Sequence, residues 1–391
     1  MNHVAVIFAN FGPYHLARLR GLAERLKLDG IGLVAIEVAG TDRQWPWRVG
    51  RDREPFDWIT LFPDRELNAL SKSECDQAIR ACLDEHAPAA VAATGYVRPE
   101  SSAAASWARR RRVPSILMSE SQRVDRPKVW WKESVKALRV RRFDAALVGG
   151  PSHADYLVDL GMPRDRIFLG YNAVDHDGFA RQTDAARRDP ATRGGLPDRP
   201  YFLSVSRFAA EKNLPRLIRA FATYRAAGGA WDLALVGGGP DAGIVEGCIA
   251  DSGLGGSIYR PGFLHGHELA CWYAHASAFV LASVSEPWGL VVNEAAAAGL
   301  PLLVSDRAGV AGTLVEIGTG RTFDPTDEAG ITRALGWVAG LGESKRAAIG
   351  ARAREVAADW GPGRLASGFV GAMESARRRV AAHRGLSRSV G

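Results

Sequence analysis

The strongest chemical pattern in the chain is a pair of glutamates, Glu286 and Glu294, eight positions apart in SEPWGLVVNEAAAAGLP. The apolar run AFVLAS ends just before Glu286 and indicates a strand, and a helix is predicted to begin near Gly289. The N–H groups of a helix start attract anions, so the two carboxylates bracket a place suited to a phosphate group. In a simpler alternative Glu286 caps the helix and Glu294 is solvated, but this does not explain two acids around a helix start followed by AAAAG.

Two further turns in the second half of the chain have the composition of a phosphate site. Arg207 follows the apolar run YFLSVS, and Lys212 lies five positions later at a predicted helix start, where both cations can neutralise phosphate oxygens without a metal. The run Gly237-Gly238-Gly239-Pro240 closes another strand, and such turns let a ligand approach the backbone. Each pattern alone is also typical of a surface turn. Together with the glutamate pair, they predict a site for a diphosphate.

These turns all follow apolar runs of strand length, and stretches with helical periodicity separate the runs. Near-continuous apolar strands that alternate with helices predict parallel sheets covered on both faces. In such α/β sheets, ligands bind at the carboxyl ends of the strands, which is where the turns lie. The predicted strands are 4–8, 32–38, 89–94, 115–119, 145–149, 166–170, 201–206, 233–240, 257–263, 278–283 and 302–306.

The chain has 391 residues, enough for two domains with separate cores. The polar segment before Tyr201 is rich in Arg, Asp, Pro and Gly and has no apolar period, so it is predicted to be a linker. We therefore predict a first α/β domain over 1–178, a linker over 179–200, a second α/β domain over 201–365, and a C-terminal helix with a basic tail over 366–391.

The chain resembles glycosyltransferase family 4 on Arg207 with Lys212, on the glutamate pair in EPWGLVVNEAAAAGLPLLVSD, and on the turn RIFLGYNAVD. The resemblance is strong over 201–325, fair over 167–175 and looser toward the N-terminus. It implies the GT-B fold, in which two Rossmann-like doubly wound domains face each other across a cleft. It also implies that a sugar is transferred from a nucleotide-sugar to an acceptor bound by the first domain, with retention at the anomeric carbon and without a metal.

The resemblance also assigns roles to individual residues. Glu286 is implied to contact the hydroxyls of the donor sugar and Glu294 those of the ribose, while Arg207 and Lys212 hold the diphosphate and stabilise its charge as it leaves. The other donor-binding residues implied are Gly12 in the first glycine loop, Leu264 beside the base, and Gly289, Leu290 and Val291 through their backbone N–H groups. Gly238 is expected to bind the donor as part of the glycine run described above.

Departures from the family pattern concern the donor sugar and the acceptor. Where family members commonly have a histidine, this chain has Glu120, which we expect to accept a hydroxyl or contact a cationic acceptor group. Ser206 replaces the glycine that commonly precedes the phosphate arginine, and the turn over 308–313 lacks the usual acid. Donor and acceptor therefore stay open. A UDP-sugar is favoured with GDP-mannose second, and the acceptor is a polysaccharide, a glycolipid or a small molecule.

The net charge of +7 is concentrated in two segments. Residues 109–142 contain twelve basic and three acidic residues, and residues 377–391 contain five arginines and no acid, so the rest of the chain is acidic. An acidic chain with two basic patches does not indicate a nucleic-acid partner. The first patch indicates an anionic membrane surface or an anionic acceptor.

Within that patch Lys128, Lys132 and Lys136 repeat every four residues, beside an apolar stripe that contains Trp131. A cationic stripe next to an apolar one is typical of a helix lying on an anionic membrane. Three interpretations stay open: membrane binding, an ordinary helix with an apolar core side and solvated lysines, and an acceptor site. His15, at the first predicted helix start, belongs either to the acceptor site or to a partly exposed helix start.

The sequence thus predicts a metal-independent glycosyltransferase of the cytoplasm, peripheral on the inner face of the cell membrane if the basic helix binds lipid. No run of about 18 apolar residues or secretory leader pattern occurs, and four cysteines are too few for a disulfide framework. Two alternatives stay open: a nucleotide-sugar 2-epimerase-like isomerase on the same fold, and a catalytically silent membrane-associated scaffold. One further group of side chains could be taken for metal ligands: His265, His267, Cys271 and His275. A turn followed by a helix explains their spacing better than a metal site does, so no metal or cofactor is expected.

Overall fold

The computed structural model of the chain divides into two compact units. The first contains the described residues up to 123, those from 129 to 175 and those from 360 onward; the second contains 124–125 and the described residues from 176 to 359. Each unit is built around one parallel sheet. The residues that the structure describes are 2–41, 50, 53–125, 129–316 and 318–388.

The sheet of the first unit has seven strands, and all its strand pairs are parallel. The strands are β1 (His3–Phe8), β2 (Gly32–Thr41), β3 (Asp57–Glu66), β4 (Ala90–Thr94), β5 (Ser115–Ser119), β6 (Ala145–Val148) and β7 (Ile167–Leu169). Their order is β3-β2-β1-β4-β5-β6-β7, so the winding reverses between β1 and β4. The loop after β1 therefore leaves the sheet at the position where doubly wound folds bind ligands.

Side chains of β1 alternate between the two faces of this sheet. Val4 and Val6 pack with Leu19 of the first helix, whereas Ala5 and Ile7 pack in a separate cluster on the opposite face. The helices of the first unit before residue 176 are α1 (Pro13–Leu28), α2 (Lys72–His86), α3 (Pro99–Arg111), α4 (Trp130–Val140) and α5 (Pro151–Asp159).

The second unit repeats the same architecture with a six-stranded parallel sheet. Its strands are β8 (Tyr201–Val205), β9 (Asp232–Val236), β10 (Ile258–Gly262), β11 (Ala278–Leu281), β12 (Leu302–Ser305) and β13 (Gly320–Phe323). Their order is β10-β9-β8-β11-β12-β13, so the winding reverses between β8 and β11. The helices that follow residue 175 in this unit are α6 (His176–Arg188), α7 (Leu214–Ala226), α8 (Ala242–Ser252), α9 (Gly266–His275), α10 (Leu290–Ala297), α11 (Ala311–Leu314), α12 (Glu328–Ala339) and α13 (Glu343–Ala358).

The segment 179–200, predicted to be a linker, is largely folded onto the second unit. Helix α6 runs through its first half, with Arg187 donating to the carbonyl of Ala274 at 2.8 Å. Asp184 pairs with Arg354 at 2.9 Å. The buried residues of α6 are His176, Gly178, Thr183 and Ala186, so the segment lacks the apolar period by which a helix is recognised. The structure corrects the predicted boundary: the second unit begins at 176.

The C-terminal helix α14 (Pro362–Arg388) corrects the predicted boundary between 201–365 and 366–391. The second unit ends at 359, and α14 returns to the first unit, where Leu365 and Phe369 are buried in the same cluster as the leucines of α1. The apolar spacing of this helix shows that it is amphipathic, but not against which sheet it packs. Side chains beyond residue 383 lie outside the described part of the chain.

Two edge strands, β3 and β13, are absent from the sequence prediction. β3 carries DWITLFPDRE, whose last four residues are exposed, and β13 has only four residues. Edge strands are paired on one side only, so they need not be apolar. Among the described helices, none combines the length and apolarity required to cross a membrane.

Candidate active site

Two loops of the second unit lie side by side because their strands are neighbours. β8 pairs in parallel with β11, with Phe202 opposite Ala278. The loops that follow the two strands therefore leave the same edge of the sheet, at the point where its winding reverses. The β8 loop carries Arg207 and Lys212, and the β11 loop carries Glu286.

Lys212 and Glu286, 74 positions apart in sequence, form an ion pair at this edge. The distance from Nζ to Oε2 is 2.5 Å, and the two side chains are only 15% and 11% exposed. The hydroxyl of Ser283 donates to the same Oε2 at 3.4 Å, and the N–H of Gly309 donates to the backbone carbonyl of Glu286 at 3.0 Å. The pair is largely withdrawn from water, where charges interact more strongly than at a surface.

Asn213 connects the two loops, and its role is not predicted from the sequence. Its backbone is left-handed, with φ of 59°, a conformation that asparagine tolerates. Nδ2 donates to the carbonyls of Ala282 at 3.0 Å and of Pro325 at 2.8 Å. Asn213 thus anchors the backbone next to Lys212. The sequence feature that could have pointed to this role is the position of Asn213 directly before the apolar residues of α7.

Arg207 is the more accessible cation of the β8 loop. Its Nη2 lies 2.7 Å from Oε1 of Glu211, and its side chain is 30% exposed, twice the value for Lys212. Ion pairs at the surface contribute little to stability. A phosphate oxygen can therefore replace Glu211 as the partner of this guanidinium at small cost.

The glycine run after β9 packs against the β8 loop. Gly237 has φ of 134°, and a Cβ there would lie 2.0 Å from the carbonyl oxygen of Ser206; a Cβ at Gly239 would lie 2.5 Å from that of Phe208. Gly238 accepts a hydrogen bond from the N–H of Phe208 at 2.8 Å. Packing therefore explains the two outer glycines, and donor binding by Gly238 stays a prediction.

Helix α10 begins at Leu290, four residues after Glu286. The residue at its N-cap is Gly289, with φ of 105°, which has no side chain to cap the helix. Backbone N–H groups of a first helical turn point out of the helix toward potential acceptors. Those of Gly289, Leu290 and Val291 are the predicted phosphate contacts, and the structure places the start of α10 in the same loop as Glu286.

Glu294 lies in the middle of α10 and is only 6% exposed, so the alternative that it is solvated is wrong. Its Oε2 accepts the hydroxyl of Tyr273 at 3.0 Å. Tyr273 belongs to α9 and stacks on Phe279 with ring centroids 5.9 Å apart. A tyrosine in a helix carries no sequence signal of this role, so Tyr273 could not be predicted.

Leu264 follows β10, in a loop separate from the ion pair. Its side chain is half-buried, while the neighbouring Phe263 is exposed and contacts the ring of His265 with centroids 4.6 Å apart. The arrangement places apolar side chains at the end of β10. Contact between Leu264 and a nucleotide base stays a prediction.

The histidines and the cysteine after β10 do not converge on one position where a metal ion could bind. Nε2 of His267 lies 3.7 Å from Sγ of Cys271, whereas Nε2 of His275 lies 2.9 Å from the hydroxyl of Thr192. Within the ranges that the structure describes, no group of three or more His, Cys, Asp or Glu side chains is arranged to hold a metal ion.

In the first unit, the loop after β1 is held by a buried carboxylate that the sequence does not reveal. Oε1 of Glu37 accepts the N–H of Phe11 at 2.8 Å, and its Oε2 accepts the Thr60 hydroxyl at 2.8 Å and the Trp58 indole N–H at 3.2 Å. Gly12 follows with φ of −126°, an extended conformation open to any residue. Donor binding by the Gly12 loop stays a prediction, but the loop is rigidly anchored.

Glu120 lies directly after β5, next to a buried cation. Its Oε1 is 3.8 Å from Nη1 of Arg18, whose side chain is 2% exposed. Nε of Arg18 donates to the carbonyl of Ala173 at 3.1 Å, and its guanidinium lies 4.7 Å from the centroid of the Tyr171 ring. A carboxylate beside a fixed guanidinium is suited to accepting hydroxyl groups. Arg18 is a further site residue that the sequence pattern does not single out.

His15 lies in the first turn of α1. Its Nδ1 accepts the N–H of Gly12 at 3.0 Å, and its ring packs on Phe8 with centroids 4.5 Å apart. Burial, and to a lesser extent the charge of Arg18, lower the pKa of this imidazole to about 3. His15 is therefore neutral near pH 7, with its proton on Nε2.

The free energy of unfolding is expected to fall as the pH decreases from about 6.5 toward 3. In that interval the unfolded chain protonates His15 at its ordinary pKa of 6.5 while the folded chain does not. The contribution of His15 is fully present above pH 6.5 and decreases below it. In urea titrations between pH 7 and 4.5, the free energy of unfolding should decrease less steeply with falling pH for His15→Gln than for the original chain. The matched control is His265→Gln, and equal slopes for His15→Gln and the original chain would contradict the expectation.

Helix α4 contains Lys132 and Lys136, two members of the lysine stripe that the sequence assigns to a membrane face, a solvated face or an acceptor site. Lys136 instead faces the body of the unit: its Nζ lies 2.7 Å from Oε1 of Glu133 and 2.8 Å from the hydroxyl of Tyr156. The prediction that Lys136 contributes to an exposed cationic stripe is therefore wrong, because a polar network holds it inward. Lys128 lies outside the described residues.

Comparison with known proteins places the Lys212–Glu286 pair and α10 inside a recognised domain. The family model described as "Glycosyl transferases group 1" matches residues 188–356. A GDP-mannose-dependent alpha-(1-6)-phosphatidylinositol monomannoside mannosyltransferase from Mycolicibacterium smegmatis is 32% identical over 194 residues, which are 48% of this chain and 50% of that protein. The chain thus spans about half the length of the curated relatives it matches.

Solved structures share the fold over nearly the whole chain. Sucrose-phosphate synthase from Thermosynechococcus elongatus superposes with a TM-score of 0.71 at 20% identity, covering 100% of both chains. The Anabaena protein HepE, solved in complex with UDP and glucose, has a TM-score of 0.71 at 16% identity, covering 96% of this chain and 100% of its own. The predicted α/β architecture with two Rossmann-like domains is confirmed.

Proposed function

We propose, from the match of residues 188–356 to the family model for glycosyl transferases group 1, that this chain is a retaining, metal-independent glycosyltransferase with a nucleotide-sugar donor. The observation that carries the proposal is the Lys212–Glu286 ion pair next to the start of α10. It brings a cation, a carboxylate and a helix N-terminus to one edge of the second sheet. A sugar diphosphate needs these three elements.

The donor diphosphate is proposed to bind Arg207, Lys212 and the N–H groups at the start of α10. Negative charge grows on the diphosphate as the bond between the anomeric carbon and the phosphate oxygen breaks. Fixed cations and a helix N-terminus stabilise this charge where it develops. Because the chain supplies this compensation itself, we propose that no metal is needed.

The two carboxylates are proposed to bind hydroxyl groups of the donor, Glu286 those of the sugar and Glu294 those of the ribose. Both are already oriented by neighbours, Glu286 by Lys212 and Glu294 by the Tyr273 hydroxyl. Carboxylates held in place bind hydroxyls without the entropy loss of ordering a mobile side chain. They therefore orient the anomeric carbon for attack.

Retention is proposed to follow from attack on the same face as the leaving group. The acceptor hydroxyl forms the new bond to the anomeric carbon, the bond to the phosphate oxygen breaks, and the hydroxyl proton passes to the departing phosphate oxygen. No protein nucleophile takes part. In the first unit, Glu120 with its neighbour Arg18, and the neutral His15, are proposed to position the acceptor hydroxyl.

We consider two classes of donor, UDP-sugars and GDP-mannose. The sequence favours a UDP-sugar, whereas the relative from Mycolicibacterium smegmatis is named as GDP-mannose-dependent and supports the second choice, GDP-mannose. The acceptor is proposed to be a glycan, a lipid-linked sugar or a small molecule carrying a hydroxyl group.

Calorimetry and thermal unfolding with UDP, GDP, UDP-glucose and GDP-mannose test the proposal. A nucleotide at about 100 times its Kd raises the free energy of unfolding by about 2.7 kcal/mol, and one of the two nucleotide series should do so. Arg207→Ala should weaken that binding, while Arg219→Ala, an exposed arginine of α7, should not.

Other outcomes contradict the proposal. Absence of binding by all four compounds would favour the silent scaffold. Conversion of the free nucleotide-sugar to an isomer, with no acceptor present, would favour the epimerase-like alternative.

A further inference from the structure

Helix α4 exposes most of its large apolar side chains and turns the polar side chains of Glu133 and Lys136 toward the unit. Trp130 is 81% exposed, Trp131 52%, Val135 41% and Leu138 66%. The buried residue of the helix is Val140. At about 100° per residue, Trp131, Val135 and Leu138 share one arc that lies opposite Val140. The sequence-based alternative that this stripe is ordinary core is therefore wrong.

A polar network accounts for this orientation. The hydroxyl of Tyr156, on α5, donates to Oε2 of Glu133 at 2.8 Å, and Nζ of Lys136 lies 2.7 Å from Oε1 of the same carboxylate. Lys136 also lies 5.4 Å from the centroid of the Tyr156 ring. These contacts hold the charged side of α4 against the unit, so the apolar side must face outward.

Cations border the outward face. Nζ of Lys132 lies over the ring of Trp131, 5.4 Å from its centroid, and Arg139 lies on the same flank of the helix. The fold also brings the second basic segment close to the end of α4. Arg379 of α14 pairs with Asp144, four residues beyond the last residue of α4, at 3.3 Å. Arg379, near the start of the second basic segment, thus lies close to the end of the first.

We propose that the outward face of α4, formed by Trp130, Trp131, Val135 and Leu138 and bordered by Lys132 and Arg139, docks on an anionic lipid bilayer. Tryptophan prefers the interface between headgroups and acyl chains, and a helix with an apolar face and flanking cations binds in that plane. Each lysine or arginine close to an anionic surface strengthens the attraction.

Charge distinguishes a bilayer from the other occupants of such a face. The cations that border the described face are Lys132 and Arg139, while Glu133, the acid of this helix, is held by Tyr156 and Lys136. A second copy would place these two cations against the same cations of its partner and be repelled, whereas an anionic membrane is complementary to them. Docking does not depend on the proposed transferase activity.

The docked orientation has a consequence for the first unit. Helix α4 connects β5 to its parallel neighbour β6, so it begins on the side of the sheet where β5 ends and where Glu120 lies. A bilayer in contact with Trp130 and Trp131 would therefore lie near this carboxyl edge. A membrane-borne molecule could reach the edge without leaving the lipid surface.

Vesicle flotation of the full chain tests the proposal. Vesicles of phosphatidylcholine containing roughly a third phosphatidylglycerol should carry the protein, vesicles of phosphatidylcholine alone should not, and added salt should weaken binding. Trp131→Ser with Leu138→Ser should reduce the partition coefficient at least about tenfold, and Lys132→Glu with Arg139→Glu by a similar factor. These side chains are on the surface, so unchanged thermal unfolding is expected.

Matched controls use the second unit. Ile244→Ser removes an apolar side chain that is 58% exposed on α8, and Lys345→Glu reverses an exposed charge on α13; neither should change vesicle binding. Equal binding of the α4 variants and the original chain would overturn the proposal, as would equal binding to neutral and anionic vesicles. A dimer in solution that the α4 variants dissociate would assign the face to a second copy instead.

Discussion

Replacing Glu286 with alanine is expected to lower kcat for sugar transfer by about a hundredfold to a thousandfold. The carboxylate is proposed to hold the donor sugar, and its Oε2 also fixes Lys212 at 2.5 Å. Its removal therefore disturbs both the sugar contact and the cation beside the leaving diphosphate. Initial rates at saturating nucleotide-sugar, with release of the nucleotide as the readout, measure the effect.

The fold must be checked alongside this rate. Loss of one partner from a buried ion pair costs about 3–5 kcal/mol of stability, so thermal unfolding of each variant should accompany the assay. Glu286→Gln keeps the shape and one carbonyl oxygen and should fold more stably than Glu286→Ala. A folded Glu286→Ala variant with the original kcat would remove Glu286 from the donor site.

Replacing Lys212 with alanine is the second change with a large expected effect. The ammonium is proposed to stabilise charge on the departing diphosphate, and loss of one such contact costs about 2–4 kcal/mol of transition-state stabilisation. The fall should appear in kcat as well as in kcat/KM, because the contact strengthens as the bond breaks. Lys212→Arg should recover part of the rate, since it restores the charge but not the geometry of an ammonium.

The double variant separates the two roles of the pair. If Lys212 and Glu286 act through each other, Lys212→Ala combined with Glu286→Ala should lower kcat by much less than the product of the two single effects. Effects that multiply would show instead that each residue acts on the donor independently. Thr223→Ala, on the exposed part of α7, is a suitable control and should leave kcat unchanged.

The sequence determines the class of fold and the loops that carry the site. Apolar runs of strand length separated by helical periodicity predict parallel doubly wound sheets, and nine of the eleven predicted runs overlap the inner strands β1, β2, β4, β5, β6, β8, β9, β11 and β12. Parallel strands bury both faces, so their composition alone reveals them. The turns with Arg207, Lys212 and Glu286 follow such strands. Because each turn comes after the carboxyl end of its strand, these residues must lie at the carboxyl edge of the sheet.

Only the tertiary structure shows which of these loops touch. The Lys212–Glu286 pair depends on β8 and β11 being neighbours, although β9 and β10 lie between them in sequence. The order of strands is set by the packing of all crossover helices together, which no local pattern encodes. Asn213 and Glu37 anchor loops through hydrogen bonds to residues that are distant in sequence. These roles can therefore be recognised only once the folded structure shows the partners.

Helix α4 illustrates the same division within a single element. Its periodicity determines that Trp131 and Leu138 share one side and that Lys136 lies elsewhere, because these angles follow from helical geometry. It does not determine which side faces the sheet. The orientation depends on Tyr156, a residue of another helix. Its hydroxyl contacts both Glu133 and Lys136, which holds these side chains inward and leaves the apolar side facing outward.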